Sequence, residues 1–127
     1  MTKQSPALSS AETEILRFVW QLEAVTVQQI CDAISKDRPV HYATVQTLLR
    51  RLEKKGYVQH VKEGRAHVYA PLVGKQEATR FEIKNLVGRF FKDSHELLVL
   101  NLLEDKSIDA EELKRLSQLL QEQREKS

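Results

Sequence analysis

The residues best suited to chemistry are six basic side chains between positions 41 and 67, a stretch with only two acidic residues. They are Arg50, Arg51, Lys54, Lys55, Lys62 and Arg65. Clustered lysines and arginines bind the phosphates of nucleic acids, but solvated helix surfaces also carry such runs. The charge pattern therefore favours a nucleic-acid-binding surface and leaves an ordinary solvated surface open.

The sequence offers little support for other kinds of chemistry. It contains no nucleophile elbow, phosphate-binding loop or HExxH motif, so we predict no catalytic residue and no enzymatic activity. The four histidines (His41, His60, His67 and His95) lack helical ligand spacing, and no metal or other cofactor is expected. The single cysteine, Cys31, is expected to be a packed core thiol, with redox sensing as the alternative.

The apolar periodicity predicts three helices in the first half of the chain. Ser9 and Glu12 form a capping box before the first helix, and Thr26 is placed to cap the second. The third is expected at residues 42–55, ending before Gly56. Its predicted buried stripe consists of Val45, Leu48, Leu49 and Leu52. Its opposite face carries Tyr42, Ala43, Thr44, Thr47, Arg50 and Arg51.

After Gly56 the period changes from helical to alternating, which predicts a β-hairpin over residues 58–70 with Gly64 in its turn. His60 and His67 are expected to face each other across it. Three helices followed by a hairpin predict a mainly α winged helix-turn-helix domain over residues 1–73. A winged-helix protein-interaction module without operator binding is the alternative.

In such a domain the third helix enters the major groove of duplex DNA and the hairpin, or wing, reaches the neighbouring backbone. The predicted DNA-binding residues are His41, Tyr42, Ala43, Thr44, Thr47, Arg50, Arg51, Lys54, Lys55, Lys62 and Arg65.

Residues 74–127 are predicted to form a helical dimerisation domain. The run at 97–103 is too apolar for the surface of a monomer, and a capping box from Asp109 to Glu112 opens a last helix. The predicted dimerisation residues are Phe81, Val87, Phe90, Phe91, Leu97, Leu100, Leu103, Leu116 and Leu120. The sequence has no apolar run of about 18 residues and no signal peptide, so we expect a cytoplasmic protein without a membrane partner.

Several stretches closely resemble the penicillinase repressor family, the BlaI/MecI/CopY-type winged helix repressors. They are ATVQTLLRRL at 43–52 with KKG at 54–56, KEGR at 62–65 with Tyr69, and flanking matches within 8–20 and 90–101. The resemblance implies a homodimer that binds palindromic operators in double-stranded DNA and represses β-lactamase or other antibiotic or stress-response genes.

The resemblance also implies that a regulatory protease relieves repression by cutting in the C-terminal helices. The candidate bond is Asn101-Leu102, where the Asn of the family's Asn-Phe bond is retained and the aromatic is replaced. The tail lacks the Cys-x-Cys pairs of the copper-responsive members, which argues against that mode of sensing. The start of the third helix, His41-Tyr42-Ala43, departs from the family's Ser-Pro-Lys, so a different operator sequence is expected.

Overall fold

The computed structural model describes residues 7–126, which fall into two compact units, one ending at Asn85 and the other beginning at Leu86. The elements of the first unit are α1 (Ser10–Leu22), β1 (Val25–Thr26), α2 (Val27–Ser35), α3 (Tyr42–Lys54), β2 (Val58–Glu63), β3 (Ala66–Pro71) and the first part of α4 (Lys75–Phe90). The second unit holds the end of α4 together with α5 (His95–Glu104) and α6 (Ala110–Lys126).

The first two helices begin where their capping boxes predict. The Ser9 hydroxyl accepts a hydrogen bond from the Glu12 amide at 3.1 Å, and the Glu12 carboxylate accepts one from the Ser9 amide at 2.8 Å. Thr26 and Gln29 make the same reciprocal pair at 3.2 and 2.8 Å. Each box satisfies backbone donors that a helix start would otherwise leave unpaired, so both boundaries are determined locally.

The end of α3 is also a local feature. Gly56 has a φ of +88°, and its amide donates to the Glu53 carbonyl while the Tyr57 amide donates to that of Leu52. This pair of bonds is a Schellman motif, which requires a residue that tolerates left-handed backbone. The prediction that Gly56 terminates the helix is confirmed, and the last helical residue is Lys54.

The three strands form one antiparallel sheet in the order β1-β3-β2. The predicted hairpin is confirmed, with Glu63 paired to Ala66 and Gly64 turning the chain at a φ of +61°. The strand β1 was not predicted from the sequence; it pairs Val25 with Tyr69 and Thr26 with Val68. The added strand ties the wing to the segment between α1 and α2.

The core of the first unit lies between the three helices and the sheet. Its fully buried members include Leu16, Ile30, Leu49, Tyr57 and Tyr69, and Cys31 lies among them at 5% exposure. The expectation of a packed core thiol is therefore confirmed. Burial, followed by the charge of Asp32, raises the pKa of the Cys31 thiol.

One expectation about packing needs correction. Leu48 is not fully buried, because Val45, Leu49 and Leu52 take the core-facing positions and leave it at the border of the stripe.

Trp20 of α1 is partly buried against the core, and its indole Nε1 donates to the Val73 carbonyl at 2.8 Å. Trp20 therefore joins α1 to the chain that leaves the wing.

The second unit presents much apolar surface. Leu97, Leu100 and Leu103 on α5 are 44%, 47% and 52% exposed, and α6 has no buried residue in the described range. The predicted start of α6 is supported, since the Asp109 carboxylate accepts a hydrogen bond from the Glu112 amide at 2.8 Å. None of the helices in residues 7–126 has the length and apolar composition needed to cross a bilayer.

Two predicted dimerisation residues have packing partners within the single chain. Phe81 is partly buried and packs against the core of the first unit, and Val87 is only 2% exposed. Neither side chain offers the surface that an interface between copies requires.

Candidate nucleic-acid interface

The outward face of α3 is open to solvent along its whole length. Its residues Tyr42, Ala43, Thr44, Thr47, Arg50 and Arg51 are all exposed. Val45, Leu49 and Leu52, on the other side of the helix, are each 0% exposed and hold it against the core. The predicted division between a buried stripe and a free polar face is therefore confirmed apart from Leu48, and α3 can offer its free face to a groove.

A shallow depression of about 300 Å³ lies on this face of α3. It is lined by Ala43, Thr44, Thr47, Leu48 and Arg51. Its methyl groups can contact the methyl of thymine, its hydroxyls can bond base edges or phosphates, and a guanidinium can bind guanine through two hydrogen bonds. The partly exposed position of Leu48 thus adds apolar surface to the face that carries the polar groups.

The wing lies beside the beginning of α3. A second depression, of about 270 Å³, is lined by residues of α2, α3 and β3 together with the wing tip, and it contains Gln28, Tyr42, Gln46, Arg65 and His67. The tip residues Lys62 and Arg65 are both exposed. Arg65 of the wing therefore lies beside Tyr42 and Gln46 of α3 on one continuous surface, as contact with a groove and its flanking phosphates requires.

Lys54 and Lys55 are neighbours in sequence but have different surroundings. Lys54 is exposed, whereas the Lys55 ammonium donates to the Glu12 carboxylate at 2.6 Å and to the Ala7 carbonyl at 2.9 Å. The side chain of Glu12 is 2% exposed, against 26% for Lys55. Lys55 therefore holds the start of α1 to the end of α3, and we do not propose it as a DNA ligand.

The same contacts set the ionisation of Glu12. Burial alone would raise the pKa of its carboxyl, but hydrogen bonds from Lys55 and from Ser9 outweigh burial, so the net pKa is lowered. The carboxylate is thus charged at neutral pH and compensated by the ammonium. The sequence shows both residues in helical contexts but carries no signal of this contact, since 43 positions separate them.

A second group of polar contacts joins α3 to the wing. The Nδ1 atom of His60 lies 2.8 and 2.7 Å from the two carboxylate oxygens of Glu53, and the His60 ring stacks on His67 at 4.4 Å between centroids. The prediction that the two histidines face each other is confirmed. In residues 7–126 no group of three or more His, Cys, Asp or Glu side chains is arranged to hold a metal ion.

A three-helix core, a basic third helix with a free outer face and a hairpin beside it together define a winged helix-turn-helix DNA-binding protein. The sequence profile of the penicillinase repressor family matches residues 8–122. The penicillinase repressor of Bacillus licheniformis is 32% identical over 120 residues, which cover 94% of each chain.

Solved structures agree with this assignment. The DNA-binding domain of the repressor BlaI in solution matches with a TM-score of 0.53 and 34% identity, over 60% of this chain and 93% of that one. The monomeric Bacillus licheniformis BlaI in complex with the blaP half-operator matches at 0.50 with the same identity and coverage. The chain belongs to the penicillinase repressor family, whose members are DNA-binding transcriptional repressors and not enzymes.

Proposed function

We propose that the chain represses transcription as a homodimer that binds a palindromic operator, with α3 in the major groove and the wing on the adjacent backbone. The observation that carries the proposal is the free outer face of α3, whose six residues are exposed while Val45, Leu49 and Leu52 on its inner side are completely buried. Two-fold symmetry would place two such helices on one side of the duplex, about one helical turn apart. Occupancy of the operator then blocks transcription without any catalytic step.

The proposed contacts divide by chemistry. The depression with Thr44, Thr47 and Arg51 is proposed to read base edges, together with Ala43 and Arg50. The remaining ligands are proposed to bind phosphates or to position the helix. They are His41, Tyr42, Lys54, Lys62 and Arg65.

The first experiment selects duplexes from a random pool with the full chain and then measures affinity for the recovered duplex over a range of salt concentrations. With about four phosphate contacts per protomer, log K should fall against log salt with a slope of roughly −7. A winged-helix protein-interaction module would give a slope near zero or no binding at low salt. Either result would overturn operator binding.

Single variants test the assignment to α3. Arg50→Ala and Arg51→Ala should each weaken DNA binding. If the lost contact is to a phosphate, affinity should fall equally for all duplex sequences. For a base contact, discrimination at one operator position should fall instead, by about 1–3 kcal/mol. Arg80→Ala removes another exposed arginine, from α4, and should leave affinity unchanged. Equal reductions in affinity for all three variants would contradict the assignment.

The proposed dimer interface consists of exposed apolar residues of the second unit together with the half-buried Phe91. The exposed residues are Phe90, Leu97, Leu100, Leu103, Leu116 and Leu120. Leu100 is 47% exposed, and Leu100→Asp should convert the dimer to monomer in sedimentation velocity because it puts a charge into an apolar contact. Leu22→Asp is the matched control, at 44% exposure on α1, and should stay dimeric. An unchanged sedimentation profile for Leu100→Asp would refute this interface.

The regulated genes are proposed to be β-lactamase or other antibiotic or stress-response genes, with the repressor in the cytoplasm, because the relative from Bacillus licheniformis is a penicillinase repressor.

We also propose that a regulatory protease acts at Asn101-Leu102. Both residues are exposed but lie inside α5, so the helix must open locally before cleavage. Mass spectrometry of the chain before and after induction tests this step. An intact chain in induced cells would refute it.

A further inference from the structure

Glu53, His60 and His67, which we call the histidine cluster, connect the recognition helix α3 to both strands of the wing. Glu53 lies in the last turn of α3, His60 in β2 and His67 in β3. The His60 ring is only 21° from parallel to that of His67. An ionised carboxylate can only accept hydrogen bonds, so the Nδ1 atom of His60 carries the hydrogen that points to Glu53.

Proton uptake by the cluster should strengthen the contact between helix and wing. A cationic His60 forms a charge-assisted bond with Glu53, and a cation stacked on a neutral imidazole is favourable, whereas two stacked cations repel. The side chains of Glu53 and His60 are each 32% exposed, so solvent screens the pair only in part. Histidine is the side chain that ordinarily changes charge between about pH 5 and 8.

The charged and titratable groups around the cluster come from all three elements that pack there. The centroid of the Tyr69 ring, in β3, lies 5.3 Å from that of the His60 ring. Lys62 of β2 is opposite His67 in the register of the two strands. Burial, followed by the charge of Glu53, raises the pKa of the Tyr69 hydroxyl, while Arg50 opposes the shift. Tyr42 acts on the same hydroxyl, so α3 contributes Arg50, Glu53 and Tyr42 to this neighbourhood.

We propose that the histidine cluster is a proton-dependent positioning device, which fixes the wing relative to α3 and makes DNA affinity increase as the pH falls. His60 acts through Glu53 and the wing, while His67 also lines the depression that contains Arg65. A proton gained by His60, which is stacked on His67, adds positive charge next to the surface that is proposed to face phosphate and holds the wing in its binding position. The inference rests on the proposed use of α3 and the wing to bind DNA.

The test measures affinity of the full chain for a duplex selected from the random pool, at constant salt, from about pH 8 to about pH 6. The wild-type association constant should rise roughly three- to tenfold over this range, as expected when binding favours the protonated form of a histidine. His60→Asn keeps an amide donor near the position of Nδ1 but cannot titrate, so it should bind the duplex with a nearly flat pH profile. Glu53→Gln should also flatten the profile, because it removes the charge that pairs with His60.

Two further variants separate the cluster from the other histidines. His95→Asn, in α5, should retain the wild-type slope. His41 precedes α3 among the proposed DNA ligands, so all variants are also compared in a His41→Asn background. Circular dichroism at each pH confirms that every variant used is folded.

The outcomes are distinguishable. A pH profile that His60→Asn and Glu53→Gln flatten, and His95→Asn does not, supports the positioning role. If the wild type binds the duplex and His60→Asn shows the same dependence of affinity on pH, the role of the cluster is overturned and the repressor function stays intact. Absence of wild-type duplex binding at every pH would instead overturn the proposed function.

Discussion

The replacement Lys55→Met tests whether this lysine stabilises the fold or binds DNA. The change keeps most of the aliphatic stem but removes the ammonium from Glu12, whose side chain is 2% exposed. Removing one partner of a buried ion pair costs about 3–5 kcal/mol, because the other charge is left uncompensated. Lys55 is 26% exposed and the Glu12 carboxylate keeps its hydrogen bond from the Ser9 amide, so we expect a loss of about 2 kcal/mol.

The consequence should be visible in thermal unfolding at neutral pH. For a unit of this size a destabilisation of about 2 kcal/mol lowers the midpoint on the order of 10 °C. The slope of DNA affinity against salt should not change, because the Lys55 ammonium is bound to Glu12 and does not reach a phosphate.

The neighbouring lysine provides the matched control. Lys54→Met should leave the free energy of unfolding within about 0.5 kcal/mol of the wild-type value, as is usual for an exposed position. It should also reduce the salt slope by about 1 per protomer, because the proposed phosphate ligand is removed. The assignment of Lys55 is refuted if Lys55→Met unfolds within about 2 °C of the wild type and reduces the salt slope as Lys54→Met does.

The difference in stability between the wild type and Lys55→Met should depend on pH with a definite sign. The Glu12 pKa is lowered in the folded chain from an ordinary value of 4.5, so its stabilising contribution is present above that value. The contribution disappears as the pH falls through the lower folded pKa. The stability difference between wild type and Lys55→Met should therefore shrink on acidification below about pH 4.5, and a difference that grows there would contradict the pairing.

Three further changes test the elements that support the interface, each measured by urea or thermal unfolding. Thr26→Ala should cost about 1 kcal/mol because it removes the cap of α2, whereas Thr26→Ser should cost much less; equal destabilisation would exclude capping as the cause. Trp20→Phe should cost about 1 kcal/mol or more by leaving the Val73 carbonyl without its indole donor, and an unchanged stability would show that water replaces the bond freely. Gly64→Ala should cost about 1 kcal/mol from its positive φ although nothing lies within 4 Å of an added Cβ; Gly74→Ala, at an equally open position without positive φ, should cost less, and the reverse order would contradict a backbone cause.

Much of the winged helix-turn-helix could be predicted because its boundaries depend on residues close together in sequence. The capping boxes at Ser9 and Thr26 each join residues three positions apart, and the Schellman end of α3 depends on Gly56 and its immediate neighbours. The alternating pattern around Gly64 likewise predicts the hairpin. Periodicity also separated the free face of α3 from its buried face, since a helix places residues three and four positions apart on one side.

The contacts that sequence reasoning missed join distant segments. β1 is two residues long, too short for an alternating pattern, and exists because Val25 and Thr26 meet Tyr69 and Val68. The assignment of Lys55 depended on Glu12, 43 positions away, and no local spacing distinguishes it from Lys54.

The sequence by itself thus determined the order of helices and hairpin, the basic character of α3 and the histidines that oppose each other in the wing. The tertiary structure decided which basic groups remain free and which histidine meets a carboxylate. Local hydrogen bonds and residue periodicity are written in a few adjacent positions, whereas an ion pair between α1 and the end of α3, or between α3 and β2, depends on how whole elements pack. That packing turns one lysine of a basic pair into a support for the fold and leaves its neighbour on the surface.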